Sequence, residues 1–266
     1  MTTRLHASTN SSAGPESYIF QNRSMVENGS AKAILELLER GRLEMEGLVP
    51  WGSNYTFLVH VCHEQEQVEA IYKPNRGEQP LWDFARGSLS QRERAAYVVS
   101  EAVHWHLVPP TILREGPHGW GSVQYFVEHD SQHHYLTLQG HFQDQVRRIA
   151  LFDVLINNAD RKSGHVLLGH DDRLWAIDHG VCFHAENKLR SVIWEFAGEP
   201  LPDSLISDLK TLHSWFSSHE ETGRQELNTL LSEPELDALG LRLDNLIESR
   251  RFPTPGSGRY YPWPLI

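Results

Sequence analysis

The chain has 266 residues, 39% of them hydrophobic and 22% charged, with a formal net charge of −11. That is enough chain to bury a real core as one large domain or two small ones. The acidic balance excludes a general nucleic-acid binder, which needs a basic footprint to displace counterions, and argues against constitutive docking on anionic lipid.

Cys62 and Cys182 are the only cysteines, so no disulfide framework is expected and a reduced, cytoplasmic setting is the default. No apolar run approaches the ~20 residues of a membrane-spanning helix. The opening MTTRLHASTNSSAGPES lacks the apolar segment of a secretory signal. Its Ser- and Thr-rich composition predicts a disordered tail over residues 1–25. Ser30 is placed to cap a short helix, Ala31 to Arg40, which Gly41 stops. Ile34, Leu35, Leu37 and Leu38 give that helix a stripe to bury. Arg42 to Val49 is strand-like and runs into a turn composition, PWGSN, at residues 50–54. Tyr55 to Cys62 and Val68 to Lys73 read as an antiparallel hairpin, with a polar turn from Glu64 to Gln67 and Pro74 closing the second strand. Residues 75–89 read as loop. A helix follows from Gln91 to about His106, with Ala95, Val98, Val99, Ala102 and Val103 at helical spacing and Pro109-Pro110 beyond it. Thr111 to Leu113 and Gly121 to Val127 read as two more strands.

The second half changes character. Phe142 to Ile156 has a helical pattern. Val166 to Leu168 and Leu174 to Ile177 are short strands around a polar turn, and the chain is helical in pattern beyond Asp203. The aromatic, proline-rich end, closing in YYPWPLI, suits packing against the larger lobe. The expected fold class is therefore α+β: a small antiparallel β lobe with one main helix over residues 26–128, and a mostly helical lobe over 129–266. This order matches the two-lobed protein-kinase-like plan, although a fold does not fix a function.

The strongest local signal is INNADRKSGHVLLGHDDRLWAIDHG, residues 156–180. Asp160 lies at the end of a predicted helix, and Asp178 directly follows a strand. Two acids at either end of a short hairpin can converge on one cleft. Phosphoryl transfer needs one carboxylate near the attacking oxygen and another on the metal that neutralises the phosphates. The residues alone leave a plainer reading open, in which Asp178-His179-Gly180 is an ordinary turn and Asp160 caps its helix or pairs with Arg161.

This segment resembles the catalytic and metal-binding loops of the phosphatidylinositol 3-/4-kinase-like superfamily, which run Asp-Arg, a short gap and Asn, then a strand and Ile-Asp-x-Gly. From about residue 30 onward the chain is similar to a small bacterial branch of that superfamily. The stretches that carry the likeness are IYKPNRGEQPLWDF, GSLSQRERAAY, VPPTILREGPHGWGSVQYF, INNADRKSGH, AIDHGVCFH, WEFAGEPLP and YPWPLI. The resemblance implies ATP and Mg²⁺ as cofactors, with Mn²⁺ as the alternative metal, and a hydroxyl of a lipid, inositol-like molecule or protein as phosphate acceptor. Carried over by position, it makes Lys73 the lysine that holds the ATP phosphates and Glu93 its acidic partner. Gln124, Tyr125, Phe126 and Val127 become the connector that grips adenine, and Ser53 part of the turn covering the phosphates. Asp160 orients or deprotonates the acceptor, and Asp178 binds the metal. Lys188 and Arg190 are placed to hold an anionic acceptor.

Several alternatives stay open at the level of residues. Ser90 to Glu93 spells a capping box, which would engage Glu93 in closing its own helix; Glu101 is then the other acid available to Lys73. The superfamily's second metal ligand, Asn, is replaced here by His165. Neutral imidazole ligates metals, but magnesium prefers oxygen. Either His165 or one of Asn157 and Asn158 completes the site, or the chain is a catalytically weak pseudokinase acting as a nucleotide-binding interaction module. Transfer of AMP in place of phosphate is a third outcome. A zinc site built from His165, His170, His179 and His184 is disfavoured, because no H-E-x-x-H or paired C-x-x-C accompanies them.

Overall fold

The computed structural model describes residues 31–49, 55–138, 140–218 and 220–266. The turn at residues 50–54, with Ser53, and the N-terminal tail lie outside the described residues. Helix α1 (Ala31–Arg40) precedes strands β1 (Arg42–Leu48), β2 (Phe57–His63) and β3 (Glu66–Pro74), and helix α2 (Leu89–Ala102) precedes β4 (Thr111–Gly116) and β5 (Gly119–Tyr125). These strands form one antiparallel sheet in the order β1-β2-β3-β5-β4. The second half contains α3 (Gln143–Leu155), the short hairpin β6 (Val166–Leu168) and β7 (Leu174–Ala176), and α4 (Asp203–Ser217), α5 (Thr222–Leu230) and α6 (Glu233–Ser249). The fold is thus the expected α+β, two-lobed kinase-like arrangement. No helix among the described residues is long and apolar enough to cross a membrane.

Alternation along β3 sorts the small lobe. Val68, Ala70 and Tyr72 point to one face and join Val59, Val61, Leu37 and Leu38 in a core roofed by α1. Glu69, Ile71 and Lys73 therefore share the other face. Lys73 pairs in register with Ser122 of β5, one residue from Gly121. A Cβ on Gly121 would come within 2.2 Å of the Lys73 carbonyl oxygen, so only glycine lets β5 lie close enough to fix the end of β3.

Helix α2 starts two residues earlier than its periodicity predicts and ends at Ala102. The capping box does not form: no side chain caps α2 from Ser88, and Glu93 is buried and turned elsewhere. The cap comes from upstream. The Glu78 carboxylate accepts from the backbone N–H groups of Gly87, Leu89 and Ser90 at 2.9, 3.1 and 3.3 Å. A carboxylate on these unpaired donors satisfies them and complements the helix dipole. Ala95, Ala96, Val98 and Val99 of α2 belong to the core of the helical lobe. Arg94 with Glu226 and Arg92 with Glu235 tie α2 to α5 and α6. Glu78→Ala should destabilise the protein by about 1 kcal/mol, as loss of a helix cap does, whereas Ser90→Ala should change stability by less than about 0.5 kcal/mol. Urea denaturation followed by circular dichroism checks both, and equal effects would restore the local box.

Candidate active site

The loop after α3 is built around one buried ion pair. Arg161 is fully buried and meets Asp153 of α3 through Nε at 2.9 and 3.1 Å and through Nη2 at 2.9 Å. Its remaining donors reach the carbonyls of His165 and Ile177 at 3.0 and 2.8 Å and the Nε2 of His179 at 2.8 Å. One guanidinium thus fastens α3, the Asp160 loop, the end of β7 and the segment after it. Burial opposes the Arg161 charge, but Asp153 outweighs it and its pKa is raised. The pairing of Arg161 with Asp160, open in the sequence, is not made.

Asn157 and Asn158 serve the same loop. Asn157 donates to the carbonyls of His184 and Glu186 and accepts from Lys188 N–H. Asn158 donates to Asp153 and accepts from Asp160 N–H. Both side chains are buried and committed, so neither is free to complete a metal site. Asn157 and Asp178 both adopt left-handed backbone, at φ 53° and 61°, a strain that persists only where surrounding bonds over-determine it.

Three elements bring the charged groups together. Lys73 at the end of β3 donates to Glu93 Oε1 at 2.6 Å and to Asp178 Oδ1 at 2.9 Å. Glu93 turns its other oxygen to His179 N–H at 2.9 Å. Glu101 instead faces His106. Burial works against the Lys73 ammonium, but Asp178 and Glu93 outweigh it and raise its pKa. The Lys73 charge, against burial, holds Asp178 well below the usual carboxylate range.

Asp160 lies five residues beyond the end of α3, in the loop. Burial raises its pKa, opposed by Lys162, whose Nζ lies 3.0 Å from Asp160 Oδ2. Sequence reasoning missed Lys162; its signal was a cation two residues after the acid.

His165 joins the two aspartates. Its Nδ1 lies 3.1 Å from the Asp160 carbonyl, and its Nε2 3.2 Å from Asp178 Oδ2. A carbonyl only accepts, so Nδ1 carries the hydrogen. Burial lowers the His165 pKa to about 4 against the pull of Asp178, which leaves a neutral ring. Nε2 and Oδ2 then present lone pairs to each other. One nitrogen and one carboxylate oxygen converging in this way suit a divalent cation, and more so one that accepts nitrogen ligands.

The connector and the acceptor residues come out unevenly. Gln124 belongs to β5, with its amide bonded to Thr111 at 2.8 Å. The N–H groups of Tyr125 and Phe126 are used by the carbonyls of Pro110 and Glu69. Among the described residues Val127 is left as the connector residue whose N–H makes no backbone bond. Lys188 is not an open cation: Asp83 sits 2.9 Å from its Nζ, and the exposed Trp82 ring lies 4.9 Å away. Arg190, by contrast, makes no ion pair among the described residues, has a buried Nε without a partner, and is close enough to lower the pKa of Asp160. The zinc histidines do not gather. Among the described residues the only three metal-donor side chains within 4.8 Å of one another are Glu46, His60 and Glu69, on the sheet.

A family model described as phosphatidylinositol 3- and 4-kinase matches residues 47–227. Protein Rv2133c of Mycobacterium tuberculosis is 35% identical over 265 residues, covering 86% of this chain and 94% of the relative. Phosphatidylinositol 4-kinase gamma 4 of rice is 30% identical over 178 residues, covering 54% of this chain. The match spans only 32% of that rice protein. Among solved structures, hydra Fam20 with sugar superposes with a TM-score of 0.54 at 12% identity, covering 82% of this chain and 88% of that one, a likeness of fold.

Replacing one partner of the buried pair, as in Asp153→Leu or Arg161→Met, should cost about 3–5 kcal/mol, whereas the double variant should cost less than the sum of the two because no buried charge is then left alone, although the His165 and Ile177 carbonyls still lose their donor. Denaturant midpoints of the three variants measure this, and additive losses would contradict it.

Proposed function

This chain belongs to the phosphatidylinositol 3- and 4-kinase family, and on that premise we propose that it is an ATP-dependent phosphotransferase that moves the γ-phosphate of ATP to a hydroxyl group. The carrying observation is the bridging of Lys73 between Glu93 and Asp178, with Asp160 and His165 on the same cluster. The nucleotide-binding lobe would be residues 26–128 and the catalytic lobe 129–266, in a cytoplasmic enzyme.

Each residue then has a task. Lys73, steadied by Glu93, contacts the nucleotide phosphates, and Val127 N–H reads the adenine edge. Ser53, outside the described residues, belongs to the turn expected over the phosphates. Asp178 and His165 would hold Mg²⁺ or Mn²⁺, which supplies positive charge against the phosphates. Asp160 takes the proton of the acceptor hydroxyl as its oxygen bonds to the γ-phosphorus and the bond to the β–γ bridging oxygen breaks, releasing ADP. The raised Asp160 pKa suits a base. Lys162 offsets charge on the transferring group. Catalysis comes mainly from positioning and electrostatics.

The acceptor is a lipid headgroup, an inositol-like polyol or a protein side chain. The unpaired Arg190 beside Asp160 favours one carrying negative charge, and Lys188 would join it only by leaving Asp83.

Phosphate release or transfer from γ-labelled ATP should fall by at least ~100-fold in Asp160→Asn and in Asp178→Asn. Lys73→Met should weaken nucleotide binding by calorimetry about tenfold or more. Unchanged turnover in both aspartate variants would sink the kinase reading. Nucleotide binding without transfer under any metal would leave a pseudokinase, and a labelled acceptor carrying AMP would leave a nucleotidyl transferase. His165→Asn should shift metal preference from Mn²⁺ toward Mg²⁺ by about tenfold, read as Mn²⁺ affinity by electron paramagnetic resonance with and without competing Mg²⁺.

A further inference from the structure

The helical lobe holds a cavity of about 640 Å³ between Val154 at the end of α3, the 185–189 loop, α6 and the chain at residues 251–256. That volume falls within the range of small-molecule sites, about 300–1,000 Å³. Its walls are mainly apolar: Leu246 and Phe252 are buried, Leu189 and Trp194 half-buried, and Leu241 exposed.

The charges are one-sided. Two arginines, Arg242 and Arg251, line the cavity, and none of the described lining residues is acidic. In a chain of net charge −11, that is the reverse of the average surface. Arg242 gives Nε to the Leu155 carbonyl at 2.8 Å and Nη1 to the His184 carbonyl at 3.4 Å, and its Nη2 is buried without a partner. Glu235, a carboxylate whose charge reaches it, is itself held by Arg92 and Ser232. Burial pushes the Arg242 pKa down to about 10. Arg251 donates to the Gly198 carbonyl at 2.8 Å and has no carboxylate partner among the described residues. Arg242 is half-buried, where a guanidinium is costly without a counter-charge and is ordinarily paired, whereas Arg251 is exposed and carries its charge in solvent.

We propose that this cavity is a second ligand site, separate from the nucleotide cleft, for an amphiphilic organic anion: an apolar body against Leu189, Trp194 and Leu241, and a carboxylate or phosphate head beside Arg242 and Arg251. The head supplies negative charge beside the half-buried Arg242 and charge-assisted bonds to the exposed Arg251 guanidinium. The body removes apolar surface from water. Recognition requires both parts.

The test uses the full chain and three probes below their micelle concentrations: dodecanoate, dodecyl phosphate and the uncharged dodecanol. Calorimetry should show saturable one-to-one binding of at least one anionic probe, with dodecanol at least tenfold weaker. The tighter of the two anions identifies the head group. Ala238→Trp, which fills the cavity from α6, and Arg251→Gln should each weaken the anion at least tenfold while leaving nucleotide binding unchanged. Lys73→Met should leave the anion's affinity unchanged. Dodecanol binding as tightly as the anions, no saturable binding of either anion, or undiminished binding in a folded Ala238→Trp would overturn the proposal. The wild-type comparison of charged and uncharged probes decides the matter even if a variant fails to fold.

Discussion

The geometry of the cleft depends on the buried bond between Arg161 and Asp153. Neither charge has access to water, so each is tolerable only with the other in place. Arg161 also spends its remaining donors on carbonyls from two further segments and on His179. The loop therefore has little freedom. Asp160 directly precedes this cation, which grips the carbonyls of His165 and of Ile177, the residue before Asp178. The two left-handed residues, Asn157 and Asp178, are the local strain that this network sustains.

A second constraint comes from the strand period. Because neighbouring side chains on β3 face opposite ways, burying Val68, Ala70 and Tyr72 under α1 obliges Lys73 to project from the other face. Glu93 reaches it only because Glu78 closes the start of α2. Had the local box formed, Glu93 would have been consumed in its own helix. Glu78 thus acts on the ion pair indirectly, by making a nearer acid unnecessary as a cap.

This division explains what could be read in the sequence. Strand alternation, helical spacing and the Asp160–Asp178 interval are local patterns, and they gave the element order, the antiparallel lobe and the acids at the hairpin. Long-range partners are not written in spacing. Lys188 reads as a free cation until the loop carrying Asp83 folds across it, 105 residues away in sequence. By its spacing alone Glu93 reads as a cap, and only the family resemblance pairs it with Lys73; Glu78 supplies the cap from a stretch that looks like plain loop. Asn157 and Asn158 read as metal ligands until their amides are counted against the backbone groups they satisfy. Arg161 follows Asp160 directly, yet it pairs with an acid eight residues back, because the loop turns its side chain into the core. The alternatives that the residues alone left open fail for one cause: the partner was chosen by burial, which periodicity reports only for apolar residues.

The cluster also carries an electrostatic consequence for the proposed reaction. Lys73 is already bound by two carboxylates, so a nucleotide phosphate approaching it competes with Asp178. The Nε2 of His165 offers Asp178 no proton in exchange, since the hydrogen sits on Nδ1. Asp178 and His165 would hold a cation whose positive charge would resolve both conflicts together, releasing Asp178 from Lys73 and giving the Nε2 lone pair a partner. Lys73 would then be free for phosphate. On this reasoning metal and nucleotide bind with positive coupling, and by linkage each strengthens the other to the same degree. An imidazole at residue 165, where the resembled superfamily carries an amide, would change which metal best drives that exchange, while the exchange itself would depend only on Asp178 being shared between a lysine and a metal.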